Sequence, residues 1–320
     1  MMKKTISQCM IVKNEEKNIR RALSWGKDIM CEQIVVDTGS SDRTVEIARE
    51  MGAKIFSFPW INDFAAAKNF AIDQAKGDWI AFLDADESFT PEDAAKIPEI
   101  LEYVGDDVDG LLTGIVDLDE NNNITSGGTM IRFFVNRPDL RYVGKIHEHL
   151  VRKGRSGLHL TDATEQLAFL HTGYQEQEKK DKSKFERNLN IILEILKQEP
   201  ENCDYLGYLG DTYSSDGKNE EARDAYKKAV AAMPEKLGVY DQRSSYTYTN
   251  LLRVSQCLNA PEAEVEAIYK EAVEKLPKEP DFECVMGDWY WGKGQYEKAV
   301  QMYELAIAKL ETYGTVNRGI

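Results

Sequence analysis

The chain has 320 residues, of which 42% are hydrophobic and 30% are charged, proportions typical of a globular protein rather than a disordered or membrane-embedded one. This length is enough for two ordinary domains. The net charge of −15 argues against general binding to nucleic acid, whose phosphate backbone would be repelled, and it is compatible with a bound divalent cation.

The amino terminus contains a short apolar run, Cys9–Val12, which Asn14, Glu15 and Glu16 interrupt. Such a run is too short for a signal peptide or a membrane span. The five cysteines are odd in number and show no Cys-x-x-Cys spacing, a pattern typical of free thiols in a reducing compartment. We therefore expect a cytoplasmic protein without a membrane span.

The first half of the chain alternates short β-rich runs with helical stretches. The predicted strands are Ile6–Val12, Gln33–Val36, Lys54–Phe58 and Trp79–Leu83, and the predicted helices are Glu15–Lys27, Arg43–Met51 and Phe64–Ala75. This alternation predicts a Rossmann-like α/β domain, whose mostly parallel sheet is covered on both faces. From Leu111 onward the pattern changes to strands and turns, with a strand at Met130–Val135. We assign residues 1–180 to this domain.

The second half is helical and contains a recurring pattern of small and aromatic residues. One copy is Leu209, Gly210, Tyr213, Ala222, Tyr226 and Ala229, and another is Met286, Gly287, Tyr290, Ala299, Tyr303 and Ala306. A weaker copy begins at Leu252, 34 residues before the last one, which is the period of a tetratricopeptide repeat. We predict an all-α tetratricopeptide-repeat solenoid over residues 181–320, with an unrelated helical bundle as the alternative.

Two carboxylates follow the apolar strand Trp79–Leu83 directly. They are Asp84 and Asp86, and in an open α/β sheet ligands bind beyond the carboxyl ends of the strands. Alternate residues of an extended chain face the same side, so we expect both acids to converge on one hard cation, Mn²⁺ or Mg²⁺. Such an ion would bridge a diphosphate and neutralise it as a leaving group. A solvated turn is the alternative.

Two other predicted strands also end in polar residues. Asp37 ends the second strand, where its carboxylate could accept hydrogen bonds from a ribose or a base. Gly39 permits a close backbone turn, and the helix that begins at Arg43 offers free N–H groups. Taken singly, these features could equally be ordinary turn and cap chemistry. The candidate nucleotide-binding residues of the two strand ends are Val12, Asn14, Glu15, Asp37, Gly39 and Ser40.

Four segments within Ile6–Glu87 resemble family 2 glycosyltransferases of the GT-A fold: IVKNEE, VVDTGSSDRT, WINDFAAAKN and GDWIAFLDADE. The chain is especially similar to the bacterial subgroup of lipopolysaccharide-core glucosyltransferases and peptide S-glycosyltransferases, some of which carry tetratricopeptide tails. The resemblance implies a metal-dependent enzyme that transfers a sugar from a nucleoside diphosphate donor, with UDP-hexose expected, and inverts the anomeric carbon.

The same resemblance implies roles for individual residues. The acid at Asp37 reads the nucleotide base, Asp84 and Asp86 meet the ribose and the metal, and Ala85 between them belongs to the nucleotide site. Lys68 lies near the nucleotide, where many relatives have arginine. Lysine keeps the positive charge but lacks the bidentate geometry of a guanidinium.

All four histidines lie between residues 147 and 171. His147 and His149 follow an apparent strand, Arg141–Ile146, and are expected to share one of its faces. The resembling subgroup has a similar His-Glu element and a later His-x-Gly-Tyr. It implies that His147 and Glu148 lie on the acceptor side of the site and that His171 contacts the metal or the diphosphate. Structural histidines are the alternative.

For the catalytic base, Glu148 is the first choice and Glu87 the second, because either carboxylate could lie across the sugar from the metal. Three interpretations of the whole chain follow. In the first, the enzyme modifies a protein or peptide that the repeats present. In the second, it modifies a glycan, and the repeats serve for homodimerisation or bind a protein partner. In the third, the chain is an inactive scaffold, which the intact Asp37, Asp84 and Asp86 argue against.

Overall fold

The computed structural model describes residues 4–172, 182–238 and 241–314. The chain divides into two units, of which the second begins at Lys182. The predicted boundary between residues 180 and 181 lies outside the described residues and stays a proposal. Within the described ranges, no helix is both long enough and apolar enough to cross a membrane.

The first unit is built around one large mixed sheet. Its strands are β1 (Ile6–Val12), β2 (Glu32–Asp37), β3 (Lys54–Ser57), β4 (Trp79–Phe82), β5 (Glu87–Phe89), β6 (Gly110–Leu118), β7 (Ile124–Val135), β10 (Leu160–Asp162) and β11 (Ala168–His171), while β8 (Leu140–Val143) and β9 (His149–Arg152) form a separate ribbon. The order across the sheet is β3-β2-β1-β4-β7-β6-β11-β5, with β10 beside β6. Strands β1 to β4 are mutually parallel, whereas β7 is antiparallel to both of its neighbours.

The helices of the first unit are α1 (Ile19–Ser24), α2 (Thr44–Glu50), α3 (Phe64–Asp73) and α4 (Pro91–Tyr103). The predicted α/β fold with a mostly parallel sheet is confirmed. The main difference is α1, which was predicted over Glu15–Lys27 and is much shorter. It begins later than predicted because a turn occupies residues 16–18, as described below.

The central strand β1 shows what holds the sheet in register. It is buried along almost its whole length, as expected for a parallel strand with both faces covered. Its buried polar side chains have partners: Ser7 Oγ donates to Glu32 at 2.7 Å, and Gln8 Nε2 donates to the Ala22 carbonyl at 2.8 Å. Buried polar groups are costly without hydrogen bonds, so these contacts favour one alignment of β1 over shifted ones.

The second unit is entirely helical in its described residues, as predicted. Its helices are α5 (Lys182–Gln198), α6 (Cys203–Ser215), α7 (Asn219–Ala232), α8 (Gln242–Cys257), α9 (Glu262–Lys275), α10 (Asp281–Gly292) and α11 (Tyr296–Tyr313). One hydrophobic core runs through α7, α8, α9, α10 and α11, with Tyr226, Tyr248 and Phe282 completely buried. Such a shared core between successive helix pairs is the stabilising principle of a repeat solenoid.

A glycine and a tyrosine pack together at equivalent places in two of the repeats. A Cβ atom added to Gly210 would lie 2.4 Å from the Tyr226 ring, and one added to Gly287 would lie 2.5 Å from the Tyr303 ring. Each tyrosine hydroxyl donates to an aspartate just after its glycine, Asp211 at 2.8 Å for Tyr226. The glycine therefore leaves the space that the tyrosine ring occupies between the two helices of a repeat.

We expect Gly210→Ala to destabilise the helical unit, although alanine in a helix normally stabilises by about 1 kcal/mol relative to glycine. Here the added methyl group overlaps the fully buried ring of Tyr226, and such overpacking costs about 1–3 kcal/mol. Urea unfolding followed by circular dichroism measures the change. Gly292→Ala is the matched control, because a Cβ there meets nothing within 4 Å; an equal response of both variants would contradict the steric explanation.

Candidate active site

The carboxyl ends of three parallel strands lie together at one edge of the sheet. Val12 of β1 is in register with Asp37 of β2, and Cys9 of β1 is in register with Phe82, the last residue of β4. The loops that follow these strands therefore leave the sheet on the same side, where ligands bind in open α/β folds. The candidate residues of all three loops belong to this one region.

The loops after β1 and β2 are bonded to each other. The backbone N–H of Asn14 donates to Ser40 Oγ at 2.9 Å, and that of Glu15 donates to Thr44 Oγ1 at 2.7 Å. Asn14 adopts a left-handed conformation with φ of 59°, and its side-chain oxygen accepts the Ser41 N–H at 2.8 Å. After the left-handed Asn14 the chain passes through a turn at residues 16–18, so the predicted helix start at Glu15 is wrong, and α1 begins at Ile19.

Asp37 is held by the loop that it starts. Its Oδ1 accepts the Ser40 N–H at 3.0 Å, and its Oδ2 accepts the Gly39 N–H at 3.3 Å. Gly39 has a φ of 108°, a backbone conformation that side chains other than hydrogen rarely allow. The carboxylate is thus oriented by backbone donors at the strand end, while its predicted contact with a nucleotide base stays a proposal.

Asp84 follows the buried strand β4 and contacts two buried cations. Its Oδ2 accepts from Arg132 Nη2 at 3.2 Å, and its Oδ1 lies 3.9 Å from Lys68 Nζ. Partial burial would raise the pKa of Asp84, but Lys68, Arg132 and His171 outweigh it and lower the pKa below its ordinary value. The carboxylate is therefore ionised and fixed in position.

Asp86 contacts a different group. Its Oδ2 lies 3.5 Å from Nε2 of His171, the last residue of β11. The backbone turns between the two acids, with the Glu87 N–H donating to the Asp84 carbonyl at 3.1 Å. Ala85 and Asp86 lie in this turn, so the predicted extended backbone between the two acids is wrong, while their convergence on one cation stays a proposal.

A second carboxylate, Asp117, contacts the other ring nitrogen of His171 and orients the imidazole. Nδ1 of the imidazole lies 2.8 Å from Oδ1 of Asp117, on the neighbouring strand β6, while Nε2 faces Asp86. Burial would lower the pKa of His171, but Asp86 and Asp117 raise it to about 9. A carboxylate that holds one ring nitrogen while the other faces a potential metal site is a common arrangement in metalloproteins.

The residues present fit a divalent cation in their chemistry. Carboxylate oxygen and imidazole nitrogen suit Mn²⁺, and the 3.5 Å between Asp86 Oδ2 and His171 Nε2 is close to the roughly 3 Å between adjacent ligands of an octahedral ion. Among the described residues, no group of three or more His, Cys, Asp or Glu side chains is already arranged to hold a metal. The set Asp84, Asp86 and His171 therefore stays a proposal.

Glu87 is a buried structural partner rather than an open site residue. Its side chain is 3% exposed and forms an ion pair with Arg132, itself 6% exposed. One Glu87 oxygen also accepts the Asp84 N–H at 3.0 Å. Burial raises the pKa of Glu87 to about 7, against the opposing influence of Arg132. These contacts position the Asp84 turn, so we do not assign Glu87 as the catalytic base.

Lys68 and Glu148 form a second buried pair at this site. Lys68 Nζ lies 2.7 Å from Glu148 Oε1, and it also lies over the rings of Phe82 and Tyr142, about 5 Å from each centroid. Burial would lower the pKa of Lys68, but the carboxylates of Asp84 and Glu148 raise it. Lys68 thus contacts both the Asp84 carboxylate and the Glu148 carboxylate.

The segment before Glu148 differs from its predicted form. The strand β8 ends at Val143 rather than at Ile146, and the chain then passes through left-handed backbone at Gly144 (φ 94°) and His147 (φ 54°). His147 and His149 therefore do not share one strand face, and that expectation is wrong. The reversal at His147 turns Glu148 toward Lys68, whereas His149 is exposed at the start of β9.

Sequence reasoning missed Arg132 and Asp117. Arg132 lies in the otherwise apolar run Met130–Val135, and a single charge in such a run is a signal that a buried partner exists. Asp117 has no comparable signal, because its contact with His171 depends on the pairing of β6 with β11. Ala85, a predicted nucleotide contact, is buried in the turn between the two acids.

The first unit is an α/β domain whose candidate site lies at the carboxyl ends of its parallel strands, and the second unit is built of helical pairs. Residues 7–155 match the model of glycosyl transferase family 2, and residues 205–235 and 285–314 match models of the tetratricopeptide repeat. The first unit thus contains a family 2 glycosyltransferase domain with a GT-A-like sheet, and the second contains tetratricopeptide repeats. The predicted resemblance and fold class are confirmed.

Among curated proteins, the chain is 33% identical over 231 residues to the SPbeta prophage-derived glycosyltransferase SunS of Bacillus subtilis, covering 71% of this chain and 53% of SunS. It is 29% identical over 316 residues to a TPR repeat-containing protein of Synechococcus elongatus, covering 95% of this chain and 75% of that protein. The chain therefore spans about half the length of SunS.

Among solved structures, it is similar to residues 1–349 of S. aureus TarS in complex with UDP-GlcNAc, with 16% identity and a TM-score of 0.47. That match covers 81% of this chain and 93% of the TarS chain.

Proposed function

We propose that the chain is a metal-dependent, inverting glycosyltransferase that moves a hexose from a UDP donor to a protein, peptide or saccharide acceptor. The observation that carries the proposal is the Asp84–Asp86 turn at the end of β4, with Asp86 facing His171 and Asp84 held by two cations. The family 2 domain supports the reaction class, and inversion follows the family resemblance.

The nucleotide would bind over the linked loops after β1 and β2. Asp37 would accept hydrogen bonds from the base, with the surrounding wall formed by Val12, Asn14, Glu15, Gly39, Ser40 and Ala85. The bonds between the Asn14 and Ser40 loops support this assignment, because they hold the two walls at a set distance before any ligand arrives. Preorganisation of this kind reduces the cost of binding.

The metal would be Mn²⁺ or Mg²⁺, held by Asp86 and His171 together with Asp84. When bound, it would supply positive charge for the departing diphosphate. The protein's own contribution at this point is orientation: Asp117 holds His171, and Arg132 holds Asp84. Lys68 adds a buried positive charge beside the same carboxylate.

The acceptor would be deprotonated by Glu148. Lys68 Nζ contacts both Glu148 and Asp84, so the proposed base lies close to the carboxylate of the proposed donor site. A carboxylate at this place could take the proton of an attacking acceptor, as general-base catalysis requires. His147 would border the acceptor from the left-handed turn that precedes Glu148.

The repeats would present a protein or peptide acceptor, recruit a protein partner or form a homodimer. Concave repeat surfaces commonly bind polypeptides. We retain the cytoplasm as the proposed location, because all five cysteines are free thiols.

The experiment is UDP release from a panel of UDP-hexoses with and without Mn²⁺. We expect metal-dependent release from one donor, and Asp86→Ala should reduce it about 100-fold or more, the usual cost of removing a group that stabilises developing charge. Asp106→Ala, which removes an exposed acid outside the site, is the matched control. No release from any donor, together with no UDP–Mn²⁺ binding, would favour the scaffold instead.

A further inference from the structure

We propose that residues Ile124–Gly128 of β7, here called the open edge, bind an extended peptide of the acceptor as an added β-strand. This inference rests on the proposed glycosyltransferase function and deepens it. It selects a peptide over a saccharide and names where the chain of the acceptor lies.

The open edge is a strand segment with a partner on one side. β7 pairs with β6 from Ile124 to Phe134, but it pairs with β4 only through Phe133, Phe134 and Val135. On the β4 side, no strand within the described residues pairs with Ile124–Gly128, and all five of these residues are exposed. The backbone groups that point to that side are of the kind that pairs with an added strand.

A register shift against β6 interrupts the open edge at Thr125, whereas Ser126–Gly128 pair regularly, and Ile124–Ile131 lacks the charged residues and proline that commonly prevent strand addition. Protein edges are commonly protected by lysine, other charges or proline. The sequence from Ile124 to Ile131 is ITSGGTMI, which contains none of these. Gly127 and Gly128 leave the backbone uncovered, and Ile124 is 73% exposed. The segment spans about 17 Å, enough for roughly five residues of an added strand.

The open edge leads into the candidate active site. A chain laid along it would continue the line of β4, whose pairing with β7 ends at Ala81 and which then turns through Asp84 and Asp86. On the open edge itself, Ser126 Oγ bonds Asp117, the residue that holds His171. An acceptor residue that lies beside Ser126 in the added strand would therefore be close to Asp117 and His171 of the proposed metal site.

The chemistry of the edge selects a peptide. Strand addition requires donors and acceptors that alternate along an extended backbone with a spacing of about 3.3 Å per residue, which a peptide has and a saccharide lacks. The far end of the edge carries Asp119 and Glu120, so a peptide with a basic residue at that end is favoured. Asp119 also bonds the backbone of Asn121 and Asn123, which fixes the turn at that end.

The test uses proline at two adjacent positions, Gly127→Pro and Gly128→Pro. Successive N–H groups of a strand point to opposite sides, so one variant removes a donor toward β6 and the other removes a donor at the open edge. The melting temperatures show which variant is which, because only the variant that removes the donor toward β6 breaks a hydrogen bond of the sheet. Gly127→Ala and Gly128→Ala are matched controls that add a Cβ atom and keep the N–H.

The probe is a library of ten-residue peptides with one central serine, threonine or cysteine and randomised flanks, supplied with the donor and Mn²⁺. We expect the edge-facing proline variant to lose peptide-dependent UDP release at least tenfold, while release without peptide is kept. Unchanged release with the library would overturn the inference. So would stimulation by oligosaccharides and not by peptides.

A second measurement uses the unaltered protein, because a Cβ at Gly127 would lie 3.2 Å from the Ile115 carbonyl and could disturb folding. The same library with N-methylated flanks is expected to stimulate UDP release at least tenfold less than the unmethylated library. Equal stimulation of UDP release by both libraries would contradict strand addition. If neither library nor the donor alone gives UDP release, and UDP–Mn²⁺ does not bind, the proposed function itself fails.

Discussion

Glu148→Gln is expected to reduce sugar transfer by about 10²- to 10⁴-fold, the usual contribution of a general base, while UDP–Mn²⁺ binding is kept. Glutamine has the same shape as glutamate, so it can still contact Lys68 and fill the space beside it. It cannot take a proton from an acceptor. Binding should change little because Glu148 contacts Lys68 and not the linked loops after β1 and β2.

Calorimetry with UDP and Mn²⁺ gives the binding constant, and acceptor-dependent UDP release gives transfer. His149→Gln is the matched control, since His149 is the exposed next residue. Transfer at the unaltered rate in Glu148→Gln would remove Glu148 from the role of base. Loss of UDP binding together with transfer would show instead that the Lys68–Glu148 pair is needed to build the donor site.

Arg132→Met is expected to lower the free energy of unfolding by about 3–5 kcal/mol, the typical cost of removing one partner of a buried ion pair. Arg132 is 6% exposed and Glu87 is 3% exposed, so methionine would leave the Glu87 carboxylate without its cation in a site that water scarcely reaches. Asp84 would lose a hydrogen bond of 3.2 Å at the same time. Denaturant unfolding of the full chain measures the loss.

Two further variants separate charge from shape at this position. Arg132→Lys keeps the positive charge but not the planar guanidinium, so an intermediate loss is expected. In the double variant Arg132→Met with Glu87→Gln, the unpaired carboxylate is gone and part of the stability should return. If Arg132→Met unfolds at the same denaturant concentration as the unaltered protein, the pair with Glu87 is not a stabilising feature.

The parallel strands of the sheet could be predicted because local patterns determine them. The apolar runs of β1, β2 and β4 are short, separated by helical stretches and followed by polar residues, so both the strands and the edge that they share can be inferred. The helical unit was equally accessible, since a spacing of small and aromatic residues repeats along the chain. In both cases the information lies within tens of residues.

The contacts of the site could not be predicted in the same way. Arg132 meets Glu87 across 45 positions of sequence, and Asp117 meets His171 across 54, so neither pair follows from local spacing. The pairs depend on strands β6, β7 and β11 entering the sheet after β4, out of chain order. The error at His147 has another origin, because the left-handed backbone there interrupts an otherwise strand-like run.

The contact between Gly210 and the Tyr226 ring, repeated by Gly287 and Tyr303, also bears on how this chain can diverge. A larger residue at either glycine is tolerable only if the facing tyrosine ring is lost in the same lineage. Loss of the ring while the glycine is kept leaves a cavity between the two helices. The two positions of each repeat should therefore vary jointly among homologous sequences. If one helix were exchanged between two repeats, the packing would be preserved only where one helix still supplies the glycine and the other the tyrosine.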